Sequence, residues 1–361
     1  MAVPSSPTEK RSHEADLRSV HTATFPQLLE QFGVSLLVTT YQAGKLIVVR
    51  AQDGVLNTHF RNFESPMGLA YLGGRLAIGT KCHVWEYHNL PAVAAKLEPA
   101  GRHDACFLAR ASQVTGDIRV HEIAWASDEL WIVNTRFSCL CTLDGLHSFV
   151  PRWRPPFVSA LAPDDRCHLN GLAVLDGRPQ YVTCLGQTDT ANGWRENRAR
   201  GGCLLEVRTG AVLLDGLSMP HSPRFHNHQL WLLESGVGSL ARLDLFSGRL
   251  ETVAELPGFT RGLDFHGQLA FIGLSQVRES AAFSGIPLTE RLRERICGVW
   301  VVDVSNGQTV AFLRFESGVQ EIFAVQVLPV RFPEVITDDA ELLANSFVLP
   351  EGHCPSAAQP S

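Results

Sequence analysis

The stretch "HSPRFHNHQLWLLESGVGSLARLDLFSGRLETVAEL", His221 to Leu256, decides how the chain folds. A run near 221–225 is followed by "QLWLLES", "SLARLDL" and "LETVAEL", each set off by a polar or glycine-bearing turn. The inner turns are His226-Asn227-His228 and Phe246-Ser247-Gly248. Short apolar runs parted by residues of this kind predict four antiparallel strands.

The same pattern recurs outward in both directions: an apolar strand start, a turn, then a strongly apolar strand ending in Ser or Thr. It reads "PMGLAYLGGRLAIGT" (66–80), "HEIAWASDELWIVNT" (121–135), "LNGLAVLDGRPQYVT" (169–183), "HSPRFHNHQLWLLES" (221–235) and "RGLDFHGQLAFIGLS" (261–275). The sixth copy, "VQEIFAVQVLP" (319–329), stops after its first strand. Copies about 40 to 60 residues apart, with almost no helical period, are the mark of propeller blades. At the other end "SLLVTTYQ" (35–42), "KLIVVRA" (45–51) and "LNTHFRNF" (56–63) read as three outer strands without an inner one. Joining the two ends completes a blade and leaves no open edge. The expectation is an all-β, six-bladed β-propeller closed by a 3+1 strand exchange. It forms a single domain over 23–344, with disordered tails at 1–22 and 345–361.

The 361 residues are 45% hydrophobic and 19% charged, enough for a large core. A net charge of −6 without basic runs argues against nucleic acid as a partner. No apolar run is long enough to span a membrane, and the N-terminus has no secretory h-region. Nine irregularly spaced cysteines fit reduced thiols, hence a cytoplasmic location. Cys139 and Cys167 border the expected mouth and read as buried apolar residues. Among motifs, no P-loop, dinucleotide fingerprint or nucleophile elbow is present, so no nucleotide cofactor is expected.

Aligning the copies on Gly68-Leu69-Ala70 places Met67, His121, Asn170, His221, Arg261 and Gln320 at the mouth of a central channel. His168 faces the same side two residues before Asn170. Pro220 and Pro223 stiffen the approach to His221. Neutral imidazoles at His121, His168 and His221 suit a divalent metal (Mn, Fe or Zn), with Gln320 or Asn170 as an oxygen donor. The other readings are metal-free acid–base catalysis and separate structural histidines. His121, His221, Arg261 and Glu321 are the candidate catalytic groups. Loops 187–202 and 276–295 should cover the mouth. They bring Trp194, Arg195 and Arg278, with Arg136 and Arg224 nearby, to an anionic substrate; guanidinium forks suit carboxylates.

The segments "FSCLCTLD", "RWRPPFVSALAPDDRCHLNGLA", "GLSMPHSPRFH", "LPGFTRGLDFHG" and "FSGIPLTERL" resemble signatures of a bacterial family of conserved proteins of unknown function. The resemblance spans nearly the whole propeller and implies that fold, but no substrate or cofactor. Where that family usually reads His-Asp, this chain has His121-Glu122, which keeps the charge. By fold analogy alone, gluconolactonase-like propellers hold a metal in a carboxylate and Asn ring that this sequence lacks. Oligogalacturonate lyases of propeller type hold Mn with three histidines and a glutamine. The expected function is therefore an enzyme acting on a small, carboxylate-bearing molecule, with metal-dependent lyase- or hydrolase-like chemistry; an Fe oxygenase also fits. The alternative is a non-enzymatic module that binds a ligand or a protein. The oligomeric state is not legible in the sequence.

Overall fold

A computed structural model describes residues 17–277 and 285–349. Six small sheets, antiparallel but for one added strand, lie side by side, and their innermost strands touch in a closed circle. Blades one to five start at Leu69–Leu72, Val120–Ala126, Leu169–Leu175, Pro220–His226 and Phe259–His266. Blade six takes its inner strand, Ala324–Leu328, from the C-terminal end and its outer strands, Ser35–Thr40, Lys45–Gln52 and Val55–Asn62, from the N-terminal end. The 3+1 closure is therefore present, with Leu37 opposite Gln326 and Val38 opposite Val325.

Each of the six joints holds its own apolar cluster. Leu230 and Leu232 meet Ala173 and Leu204 between blades three and four. Trp231 and Leu233 meet Leu263 and Ile272 on the next joint. Alternation along one strand thus serves two joints, because successive side chains leave opposite faces of a blade. The inner strands approach so closely that a Cβ on Gly262 would lie 2.7 Å from the Val325 nitrogen.

The repeated Ser or Thr at the end of each second strand has a structural reason. Its hydroxyl latches the blade to the chain entering the next one. Thr39 donates to the Met67 carbonyl, Thr135 to Leu169, Ser235 to Thr260 and Ser275 to Ile322. Thr183 works through a relay: its hydroxyl donates to Asn170 Oδ1 at 2.7 Å, and Asn170 Nδ2 donates to the Pro220 carbonyl at 3.0 Å. Thr80 instead caps its own turn at the His83 carbonyl.

The ends of the chain contribute more than closure. Part of the segment read as an N-terminal tail is ordered: Ser19–His21 adds a fifth strand to blade five, opposite Leu313–Phe315. Helix Thr24–Phe32 then seals the joint of blades five and six with Phe25 and Leu29. At the other end Pro333–Ile336 runs parallel to the outer strand of blade one. Glu334 ties it down through Arg61 (2.9 Å) and Arg50 (3.3 Å). The remainder of both expected tails, 1–16 and 350–361, lies outside the described residues.

Candidate functional site

The loops that enter inner strands and those that follow second strands open on the same face. There they enclose a cavity of about 400 Å³. Its inner wall is made by Met67, His121, His168, His221, Arg261 and Phe323 from successive blades. Trp194 and Arg195, on a short 3-10 turn at Gly193–Asn197, close one side. Trp194 is fixed in an apolar cluster with Leu185, Met219, Phe259, Ile286 and Leu288, so the two long loops hold each other over the mouth.

The three histidines share one arrangement. His121 Nδ1 donates to the Arg119 carbonyl (3.3 Å), and His168 Nδ1 to Asp165 Oδ2 (2.8 Å). His221 Nδ1 donates to the Met219 carbonyl (3.0 Å) and Ser235 Oγ (2.9 Å). The Ser235 proton is already committed to the Thr260 carbonyl, so its oxygen accepts from the imidazole. In every case Nε2 has no hydrogen-bond partner among the described residues, and all three residues line the cavity. The rings of His121 and His168 lie 4.7 Å apart, edge to face, and His168 lies 4.3 Å from the Trp194 ring.

Electrostatics separates these groups. Burial drives the pKa of His121 well below the ordinary histidine value, and the charges of His168 and Arg261 add to it. Burial, then Arg261, does the same to His221, so both are neutral at pH 7. Burial opposes ionisation of Asp165, yet His168 and Arg119 outweigh it and hold the carboxyl below its usual range. Arg119 donates to the same Asp165 oxygen at 3.1 Å.

Arg261 lies with its guanidinium carbon 3.6 Å over the Phe323 ring. Burial lowers its pKa, and Tyr41, Glu321 and Glu122 counteract that at longer range. Among the described residues it makes no hydrogen bond and no ion pair. The other lining cations differ: Lys81 pairs with Glu64 at 3.2 Å, Arg119 with Asp165, and Arg195 stacks on Trp194 at 4.7 Å. Asp117 is the one carboxylate among the described lining residues.

Six of the candidate residues meet here: His121, His168, His221, Arg261, Trp194 and Arg195. The others do not. Gln320 is not on the lining; its carbonyl accepts from the Gln276 amide, and the inner strand of blade six starts only at Ala324, so Phe323 holds the sixth position. Both polar ends of Asn170 serve the inter-blade relay. Arg224 pairs with the buried Glu122 at 2.8 Å instead of lining the cavity. Arg136 pairs with Asp117 at 3.4 Å beside the cavity. Glu321 stands behind Tyr41, whose hydroxyl donates to it, and does not itself line the cavity. Arg278 lies outside the described residues. Among the described residues no group of three or more His, Cys, Asp or Glu side chains is placed to hold a metal ion; of the expected set, His121, His168 and His221 line the cavity and Gln320 does not.

Sequence reasoning missed Tyr41, Lys81, Arg119 and Asp165. Tyr41, raised to about 12 chiefly by burial, sits in the turn after a second strand, the same loop class that gave Trp194. Asp165 was visible as the acid three residues before His168. No helix among the described residues is long and apolar enough to cross a membrane.

A family model described as "Domain of unknown function (DUF4915)" matches residues 23–336. No curated protein matches the chain. A chain of the crystal structure of a nidogen/laminin complex is similar over 82% of this chain and all of its own length. Its TM-score is 0.52 at 12% identity, a likeness of fold.

Proposed function

We propose that this chain, which belongs to that family of unknown function, is an enzyme that takes a small carboxylate-bearing molecule at the channel mouth. The observation that carries the reading is Arg261. A half-buried guanidinium at the mouth of a propeller, without a carboxylate partner among the described residues, leaves donors that a ligand carboxylate would satisfy bidentately. The cation excess around it favours the same charge. His168, oriented by Asp165, is the proton acceptor of the site. Arg195 and Trp194 would cover the bound molecule. The reaction class is proton transfer leading to elimination or hydrolysis, in a cytoplasmic protein whose described cysteines are all free thiols.

A second reading keeps the divalent metal. It is favoured by the Nδ1 hydrogen bonds, since metal-bound histidines are held in this way. Mn, Fe or Zn on the Nε2 atoms would act as a Lewis acid. It requires the rings to draw together, because they are not in ligating geometry. A third, non-enzymatic binding module has the same anion site and no turnover.

The test is calorimetric titration of small carboxylates into wild type and Arg261→Gln. Loss of charge-assisted hydrogen bonds should weaken binding by roughly 10- to 150-fold. Equal affinities would remove the proposal. Stoichiometric metal in chelator-free protein, lost in His221→Ala, would favour the second reading.

A further inference from the structure

We infer that the molecule taken at the mouth is a hydroxy acid, a small carboxylate whose hydroxyl groups donate to the Nε2 atoms of His121, His168 and His221. The inference rests on the carboxylate reading and sharpens it. A carbonyl or carboxylate oxygen can only accept, so each of the three Nδ1 atoms carries a proton. The hydroxyl beside His221 is no exception, because its own proton goes to Thr260. A neutral ring held in this way, as at His121 and His221, presents a lone pair at Nε2, and none of the three Nε2 atoms has a hydrogen-bond partner among the described residues.

A site lined by acceptors selects donors. A plain carboxylate has none, and would leave two or three imidazole lone pairs desolvated and unmatched. Sites built to bind a substrate O–H reject the analogue that lacks it for this reason. An ammonium would also donate, but Arg261 has no carboxylate partner among the described residues and Arg195 stands with it on the lining, so the field disfavours a further cation. Neutral hydroxyls are the donors that fit both the acceptors and the field. Two rings 4.7 Å apart, His121 and His168, can be reached by hydroxyls on neighbouring carbons. Trp194, Phe259 and Leu185 on the lining supply apolar surface for the carbon–hydrogen side of such a chain or ring. The 400 Å³ cavity has room for a six-carbon acid.

The test uses the full chain, dialysed against chelator, and matched six-carbon probes in calorimetry. Gluconate is compared with hexanoate, and glucuronate with cyclohexanecarboxylate; glucitol supplies hydroxyls without charge. At least one hydroxy acid should bind about tenfold or more tighter than its matched plain acid and than glucitol. In His121→Phe, checked for a native melting transition, that ratio should fall towards one. If that variant fails to fold, the wild-type comparison decides alone. Plain acids that bind as tightly as their hydroxylated partners overturn this inference and leave the carboxylate reading standing. Glucitol as tight as the acids, or no acid bound at all, overturns both. An unchanged ratio in folded His121→Phe overturns the assignment of hydroxyl recognition to the histidines.

Discussion

Asn170 and His168 stand two residues apart, and they have different work. Asn170 passes the Thr183 hydroxyl bond on to the Pro220 carbonyl, buried between blades three and four. His168, in a left-handed backbone conformation at φ 51°, turns its ring into the cavity against Trp194. Asn170→Ala should therefore cost about 2–4 kcal/mol in urea unfolding, the penalty of two groups left unpaired, while Arg261-dependent carboxylate binding persists. Loss of binding without loss of stability would place Asn170 in the site. Alternation puts the pair on one side with His168 one step further out, whereas Asn170 is taken up between the blades and only His168 lines the cavity. Gln320 went astray for a related cause. The polar pattern of the sixth copy aligns "VQE" with the start of the other inner strands, whereas that strand starts at Ala324. Only geometry reveals that Phe323 carries Arg261 on its face.

At the level of the element, the blades were readable because each strand is short, apolar and bounded by turn residues. The terminal Ser or Thr was visible as a pattern and becomes intelligible as a latch only once the next blade is beside it. The strand Pro333–Ile336 was not foreseen, since four residues without a repeat partner carry no periodic signal. Its anchor is Glu334, which burial would neutralise but which Arg50 and Arg61 hold below the usual carboxylate range, with His59 and His103 close by. A depressed folded-state pKa gives stability that is fully present above the unfolded value, about 4.3, and is lost as the pH falls through the folded one. Glu334→Gln should thus cost about 3 kcal/mol at pH 7, as breaking a buried pair does. In chemical denaturation the gap to wild type should close under acid. A gap that stays constant down to pH 2 would refute the assignment.

For the molecule as a whole, ring closure is the feature on which everything else depends. Blade six borrows its inner strand from the far end of the chain, and that strand pairs with Ser35–Thr40. Ending the chain at Gly318 removes it and opens two joints whose apolar clusters include Val325 and Leu328. Such a truncation should lose cooperative thermal unfolding and elute as aggregate in gel filtration. A sharp transition near that of the intact chain would show that the 3+1 closure is dispensable. The fold was legible from repeats because a closed ring of blades imposes the same local pattern many times over. The site was legible only in part. Its residues come from different blades and loops, each present once, and their roles depend on partners such as Asp165 and Ser235 that no spacing rule ties to them.

Arg261 and the histidine Nε2 atoms are proposed to share one ligand at the channel mouth, the guanidinium taking its carboxylate. The most direct measurement is electron density at the guanidinium edge of Arg261 in crystals grown with a hydroxy acid such as gluconate. A planar carboxylate should lie in bidentate contact with the guanidinium, about 2.7–2.9 Å from its nitrogens. Hydroxyls should lie within hydrogen-bond distance of the histidine Nε2 atoms. A carboxylate found only at the rim, on Lys81 or Arg195, with Arg261 still bare, would contradict the proposal.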